Sequence, residues 1–152
     1  MIGLLQRVDG AAVEVDGREV ARIGKGLLVL VGVEHGDDET VADRLLERLV
    51  AYRVFADPDG RMNLSVSDTG GGLLLVPQFT LAADTSKGLR PGFSRAAPPG
   101  DAERLFGYLA RRAEKRHSGA QTGRFGAHMR VALVNDGPVT FWIRVPPHDA
   151  PE

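Results

Sequence analysis

Two apolar runs, Leu27 to Val33 and Leu73 to Val76, constrain the fold of this chain more than any other feature. Neither alternates with polar residues; the first is rich in β-branched side chains, and the second follows Gly70-Gly71-Gly72. Runs of this kind read as strands buried on both faces, so the chain must supply apolar cover above and below them.

Cover is available in two helical segments. Val41, Leu45 and Leu49, beside Ala42, Leu46 and Val50, lie four apart and form one apolar stripe, with Asp37, Asp38 and Glu39 at the helix start. A second helix is expected from Asp101, as its cap, through the stripe Leu105, Phe106, Leu109 and Ala113. Ala12 to Val15, Asp16-Gly17 and Glu19 to Ile23 read as a hairpin of alternating polarity. Arg53 to Ala56 reads as a further strand before the turn Asp57-Pro58-Asp59-Gly60. Met129 to Val134 and Val139 to Val145 read as two last strands joined by an Asp136-Gly137 turn. The expected class is α+β: one domain over residues 1–146, mainly antiparallel strands with two amphipathic helices, and a flexible tail over 147–152. The Pro- and Gly-rich stretch from Ala82 to Gly100 is long for an idle loop.

Composition excludes several chemistries. The 152 residues include no cysteine, which removes disulfides, thiolate metal sites and a cysteine nucleophile. A net charge of −1 argues against coating nucleic acid by bulk electrostatics. Two local basic clusters survive that average, Lys87, Arg90 and Arg95 in the long loop and Arg111, Arg112, Lys115 and Arg116 near a helix end. Each reads equally as a contact for an RNA end or as a solvated face. Gly92-Phe93-Ser94-Arg95-Ala96 lacks the final glycine of a nucleophile elbow, and Gly24-Lys25-Gly26 lacks the spacing of a phosphate-binding loop. His35, His117, His128 and His148 never fall three to five apart, so each is expected on the surface or in a loop. No metal and no cofactor are expected. The N-terminal residues contain no long apolar stretch, so neither a signal peptide nor a membrane anchor is expected, and the expected location is the cytoplasm.

Two separated segments remain. Pro77-Gln78-Phe79-Thr80-Leu81 leaves the second apolar run, and a strand ending there can aim backbone N–H groups into a pocket. Thr80 carries the only hydroxyl of that segment, without a visible base to activate it. Plain strand-end and core roles for Gln78, Phe79, Thr80 and Leu81 are the alternative. Asn135-Asp136-Gly137-Pro138-Val139-Thr140 reads by itself as a hairpin turn, and its Gly-Pro bond can be cis at modest cost.

Together these segments resemble the signature motifs of the D-aminoacyl-tRNA deacylases, Ser-Gln-Phe-Thr-Leu and Asn-Xaa-Gly-Pro-Val-Thr. Further stretches similar to the family occur in order along the chain: Gln6-Arg7-Val8, Gly26 to Leu30, Met62-Asn63-Leu64, Thr80 to Thr85, Arg90 to Ser94, Gln121 to Phe125 and Val134 to Trp142. The resemblance implies a barrel-like homodimer that hydrolyses the ester of D-aminoacyl-tRNA, and of glycyl-tRNA, to free amino acid and tRNA. It implies that the Gln78-Phe79-Thr80 backbone faces the scissile carbonyl. Gly137-Pro138, as a cis peptide, would enter the partner's pocket and reject an L side chain, with Arg7 supporting that loop. Phe125 and Met129 match positions near the pocket, where an aromatic surface could stack the adenine. One departure stands out: Pro77 replaces the usual serine and offers neither hydroxyl nor N–H. The alternative function is a non-catalytic protein that binds RNA ends.

Overall fold

The apolar runs form the centre of the sheet. The computed structural model describes residues 1–148. Its elements are β1 (Ile2–Val15), β2 (Arg18–Ile23), β3 (Gly26–Gly32), α1 (Glu39–Ala51), β4 (Phe55–Ala56), β5 (Met62–Leu64), α2 (Val66–Thr69), β6 (Gly72–Pro77), a 3-10 turn (Phe79–Ala82), α3 (Pro99–Arg116), β7 (Gln121–Thr122) and β8 (Arg130–Arg144). The main sheet runs β2-β1-β3-β6-β7, with β8 on the other side of β1. It is mixed and nearly barrel-shaped. β1 pairs antiparallel with β2, β3 and β8, whereas β3–β6 and β6–β7 are parallel.

Both faces of β3 and β6 are buried, as their composition requires. Leu27, Val29, Val31, Leu73 and Leu75 face the helices, packing in one core with Val41, Leu45, Leu46 and Leu49 of α1 and Leu105, Phe106 and Leu109 of α3. The alternate residues Leu28, Leu74 and Val76 point into a second core with Val8, Val13, Val15, Ala21 and Ile23. That second cover comes from the sheet curling on itself, because β1 is long enough to pair β3 with its first half and β2 with its second. Removing such a side chain from water contributes about 1.5–3 kcal/mol.

The hairpin between β1 and β2 forms as expected. Asp16 and Gly17 take φ values of 51° and 75°, which a two-residue loop matched to strand twist requires. Several expectations need correction. The strand expected over Arg53 to Ala56 is reduced to Phe55–Ala56. A short third helix, α2, follows a capping box in which Ser65 and Asp68 bond each other's backbone N–H. Asp101 lies in the first turn of α3, whose cap position is Pro98. Asp38 caps α1 by accepting from the Val41 N–H at 2.9 Å, but Asp37 turns inward. It accepts from the Met1 amine at 2.8 Å, beside Glu34 at 3.1 Å. His117 is buried rather than exposed, with Nε2 2.6 Å from the Gly71 carbonyl.

The largest correction concerns the end of the chain. No hairpin forms at Asp136-Gly137. Residues 130–144 are one strand, antiparallel to β1 along its whole length. The propensity of Asn-Asp-Gly for a two-residue turn loses to the cross-strand pairing that both halves make with β1. Of the tail expected over 147–152, Pro147 borders a cavity with Glu34 and His35, and residues 149–152 lie outside the described residues. No helix among the described residues is long and apolar enough to cross a membrane.

Candidate active site

The first segment sits where β6 ends. Val31 pairs with Pro77, the last residue of β6, and the Gln78 N–H donates to the Val31 carbonyl at 2.7 Å. The chain then tightens into the 3-10 turn, closed by Leu81 N–H to Gln78 O at 3.2 Å and Ala83 N–H to Thr80 O at 3.2 Å. The N–H groups of Phe79 and Thr80 open this turn and have no backbone acceptor among the described residues. The side chains of Gln78 and Thr80 bond each other, Nε2 to Oγ1. Thr80 Oγ1 accepts in that contact, and among the described residues no ionisable side chain bonds it.

Beside this turn lies a cavity of about 430 Å³, walled by Val76, Pro77, Gln78, Phe79, Phe125 and Met129 and closed by Ala97 and Ala102 from the long loop and α3. Four site residues expected from sequence therefore meet in one place: Gln78, Phe79, Phe125 and Met129. Phe125 is half-buried against Phe106, with ring centroids 6.5 Å apart. Met129 accepts from the Arg124 N–H at 3.4 Å through its sulfur. Thr80 does not border the cavity. His128, expected on the surface or in a loop, is exposed in a loop and also borders the cavity, beside Met129. No group of three or more acidic or histidine side chains among the described residues could hold a metal ion.

Arg7, Gly137 and Pro138 form a second group, and none of them borders that cavity. Val8 pairs with Asn135 and Gln6 with Thr140, so residues 136–139 bulge outward opposite Arg7 alone. The Gly137-Pro138 bond in this excursion is cis. Arg7 holds it from below. Its Nε donates to Asp136 O at 3.0 Å, and its other guanidinium nitrogen donates to Val54 O at 2.6 Å. The Asn135 amide splints the same loop, accepting from Val139 N–H at 2.7 Å and donating to Thr140 Oγ1 at 3.0 Å. The tip, Gly137 and Pro138, is exposed, and so are Val134 and Trp142 on the unpaired edge of β8.

Arg7→Lys should separate charge from geometry. An ammonium cannot span two carbonyls as the guanidinium fork does. The variant should be less stable by about 1–3 kcal/mol, the cost of leaving a partly buried acceptor unpaired, and melt at a lower temperature. Calorimetry showing a wild-type melting temperature would remove Arg7 as the anchor of the loop.

Free backbone donors beside an apolar cavity, with no nucleophile–base pair, suit a hydrolase of activated esters. The comparisons with known proteins are specific. The family model described as D-Tyr-tRNA(Tyr) deacylase matches residues 4–144. The chain is 63% identical over 97% of its length to the D-aminoacyl-tRNA deacylase of Thioalkalivibrio sulfidiphilus, covering 99% of that protein. It is 60% identical over 97% of its length to the protein of that name from Nitrosococcus oceani, covering 95% of it. A solved structure described as c-Myc DNA Unwinding Element Binding Protein superposes with a TM-score of 0.92 at 34% identity, over 96% of this chain and 99% of that one. A second, described as a probable eukaryotic D-amino acid tRNA deacylase, has a TM-score of 0.78 at 17% identity, over 93% and 98%, and speaks for the fold alone. The chain belongs to the D-Tyr-tRNA(Tyr) deacylase family and is a hydrolase.

Proposed function

We propose that this protein hydrolyses the ester joining a D-amino acid, or glycine, to the terminal adenosine of tRNA. The observation that carries this reading is the pair of unengaged N–H groups on Phe79 and Thr80 beside the Gln78–Phe125–Met129 cavity. In the reaction, water attacks the ester carbonyl carbon, and the developing oxyanion accepts hydrogen bonds from those two amides. Collapse expels the ribose 3′-oxygen, which leaves with a proton. One preorganised donor of this kind contributes about 3–4 kcal/mol to the transition state. The cavity takes the adenosine, with Phe125 against the base. Pro77 removes no donor from this scheme, since Phe79 and Thr80 keep theirs.

Chirality is assigned to the other group. Gly137 and Pro138 stand on an exposed tip away from their own chain's cavity, and the neighbouring edge of β8 carries exposed Val134 and Trp142. A second copy covering that edge would bring the tip to the partner's pocket, a homodimer with two composite sites. The Gly137-Pro138 carbonyls would hold the α-amino group and leave no space for an L side chain, which is selection by exclusion. Glycine has nothing to exclude and is accepted. Such a protein works in the cytoplasm with charged tRNA.

The test is ester loss from D-tyrosyl-, L-tyrosyl- and glycyl-tRNA in parallel. Cleavage of the D and glycyl forms alone is expected; equal loss of the L form would sink the exclusion mechanism. The rival covalent route through Thr80 predicts that Thr80→Ala abolishes turnover. With its hydroxyl bonded to Gln78 and no base beside it among the described residues, the variant should instead stay within about fivefold of wild type, since one hydrogen bond contributes about 1 kcal/mol. A second reading, non-catalytic binding of nucleic-acid ends, draws on the DNA-binding description of the 34% identical relative. Release of free tyrosine by the purified protein would exclude it.

A further inference from the structure

The two basic clusters of the sequence have different fates. On α3, Arg104, Arg112 and Arg116 pair with Glu39, Asp43 and Glu47 of α1, the last two at 3.0 and 3.2 Å. Arg112 and Arg116 of the second cluster thus join Arg104 in a ladder between helices, whereas the exposed Arg111 and Lys115 form no salt bridge among the described residues. Lys87, Arg90 and Arg95 of the long loop are exposed, and no carboxylate among the described residues forms a salt bridge with them. Their loop is nonetheless held at fixed points. Asp84 and Gly92 exchange backbone hydrogen bonds of 2.7 and 3.0 Å, and the Arg95 carbonyl accepts from His35 N–H at 2.8 Å.

Two aromatic rings also face solvent, Phe93 in the same loop as these cations and Phe79 in the 3-10 turn that precedes it. Phe79 is 59% exposed and Phe93 41%, with centroids 5.2 Å apart and planes inclined at 47°. Phe79 also borders the cavity that holds Phe125, so the rings continue outward from its mouth. Exposed aromatic faces flanked by free cations are what a single nucleic-acid strand requires: a stacking surface for bases and a positive track for phosphates.

We propose that Phe79, Phe93, Lys87, Arg90 and Arg95 bind the unpaired nucleotides immediately 5′ of the aminoacylated adenosine. This rests on the deacylase reading above and extends it from the terminal nucleoside to the single-stranded end. The rings stack the adjacent base and the three cations neutralise its phosphates. A second copy of the chain could cover the rings, but a near-neutral partner gives no reason for three unpaired cations around them.

The test uses Phe93→Ala and a Lys87→Ala/Arg90→Ala double variant, none of which alters the backbone donors. Ester cleavage is followed on D-tyrosyl-tRNA and on the D-tyrosyl ester of adenosine. Binding of a fluorescein-labelled RNA oligonucleotide ending in CCA is followed as salt is raised. Phe93→Ala should lower kcat/KM on the tRNA roughly tenfold and leave the adenosine ester unchanged. The double variant should reduce the slope of log affinity against log salt by roughly 1.4, the loss of two single-strand phosphate contacts. Equal losses on both substrates, an unchanged salt slope, or a loss explained by altered subunit association would overturn the proposal. Wild-type protein that binds the oligonucleotide through these residues but cleaves neither ester would sink the deacylase reading and leave this one standing.

Discussion

D-Tyrosyl-tRNA ending in 2′-deoxyadenosine should lose its ester at least about a hundredfold more slowly than the ribose form, the scale of a lost general acid–base group. The expectation follows from what surrounds the Phe79 and Thr80 amides. Those amides are proposed to hold the oxyanion, no paired nucleophile and base accompanies them among the described residues, and Thr80 Oγ1 accepts from Gln78. His128 is on the cavity wall, yet it is exposed and has no hydrogen-bond partner among the described residues to orient it. On the proposed mechanism, the hydroxyl next to the scissile ester would accept a hydrogen bond from attacking water. His128→Gln should accordingly keep most of its activity. Undiminished cleavage of the deoxy substrate, or collapse of the His128 variant, would move the base from substrate to protein.

Gly26→Ala should be the most damaging single methyl in the chain. A Cβ at position 26 would lie 2.0 Å from the Gly72 carbonyl oxygen and 2.5 Å from its nitrogen. Those are backbone atoms of β6 at the start of the parallel pairing, and Gly72 N–H is bonded to Lys25 O at 2.8 Å. No side chain can swing away, so β3 and β6 must separate at the root of both cores. The cost should reach at least about 3 kcal/mol, a fall in melting temperature of roughly 10 °C. Gly24→Ala is the control, because nothing lies within 4 Å of a Cβ there. Similar melting temperatures for the two variants would show that the close approach of Gly26 to Gly72 is not a fixed feature.

The long uninterrupted runs at Leu27 and Leu73 and the stripes of α1 and α3 were legible because burial writes itself into hydrophobic period. The Asp16-Gly17 hairpin was legible because its turn chemistry is local. Gln78, Phe79, Phe125 and Met129 entered the reading as motif positions, and the fold brings them to one cavity. The exposed loop position of His128 was legible, but its place on the cavity wall was not, because an isolated histidine has no period or spacing that ties it to a distant segment.

The turn read into Asn135-Asp136-Gly137 shows where local chemistry stops. The residues there favour a hairpin, but β1 offers both flanks a pairing partner, and one continuous strand with an outward excursion results. The basic clusters show the same limit, since charge run alone cannot tell Arg112, spent on Asp43, from Arg90, which has no such partner. Sequence alone thus determined the strands and helices that bury apolar surface, together with the short motifs that mark the family, because both are written in neighbouring residues. Only the tertiary structure decided which donors stay free, which cations stay unpaired and which loop projects away from its own cavity. Those depend on hydrogen-bond and ion-pair partners far apart in the chain, such as Arg7 with Asp136 and Val54, which no local pattern encodes.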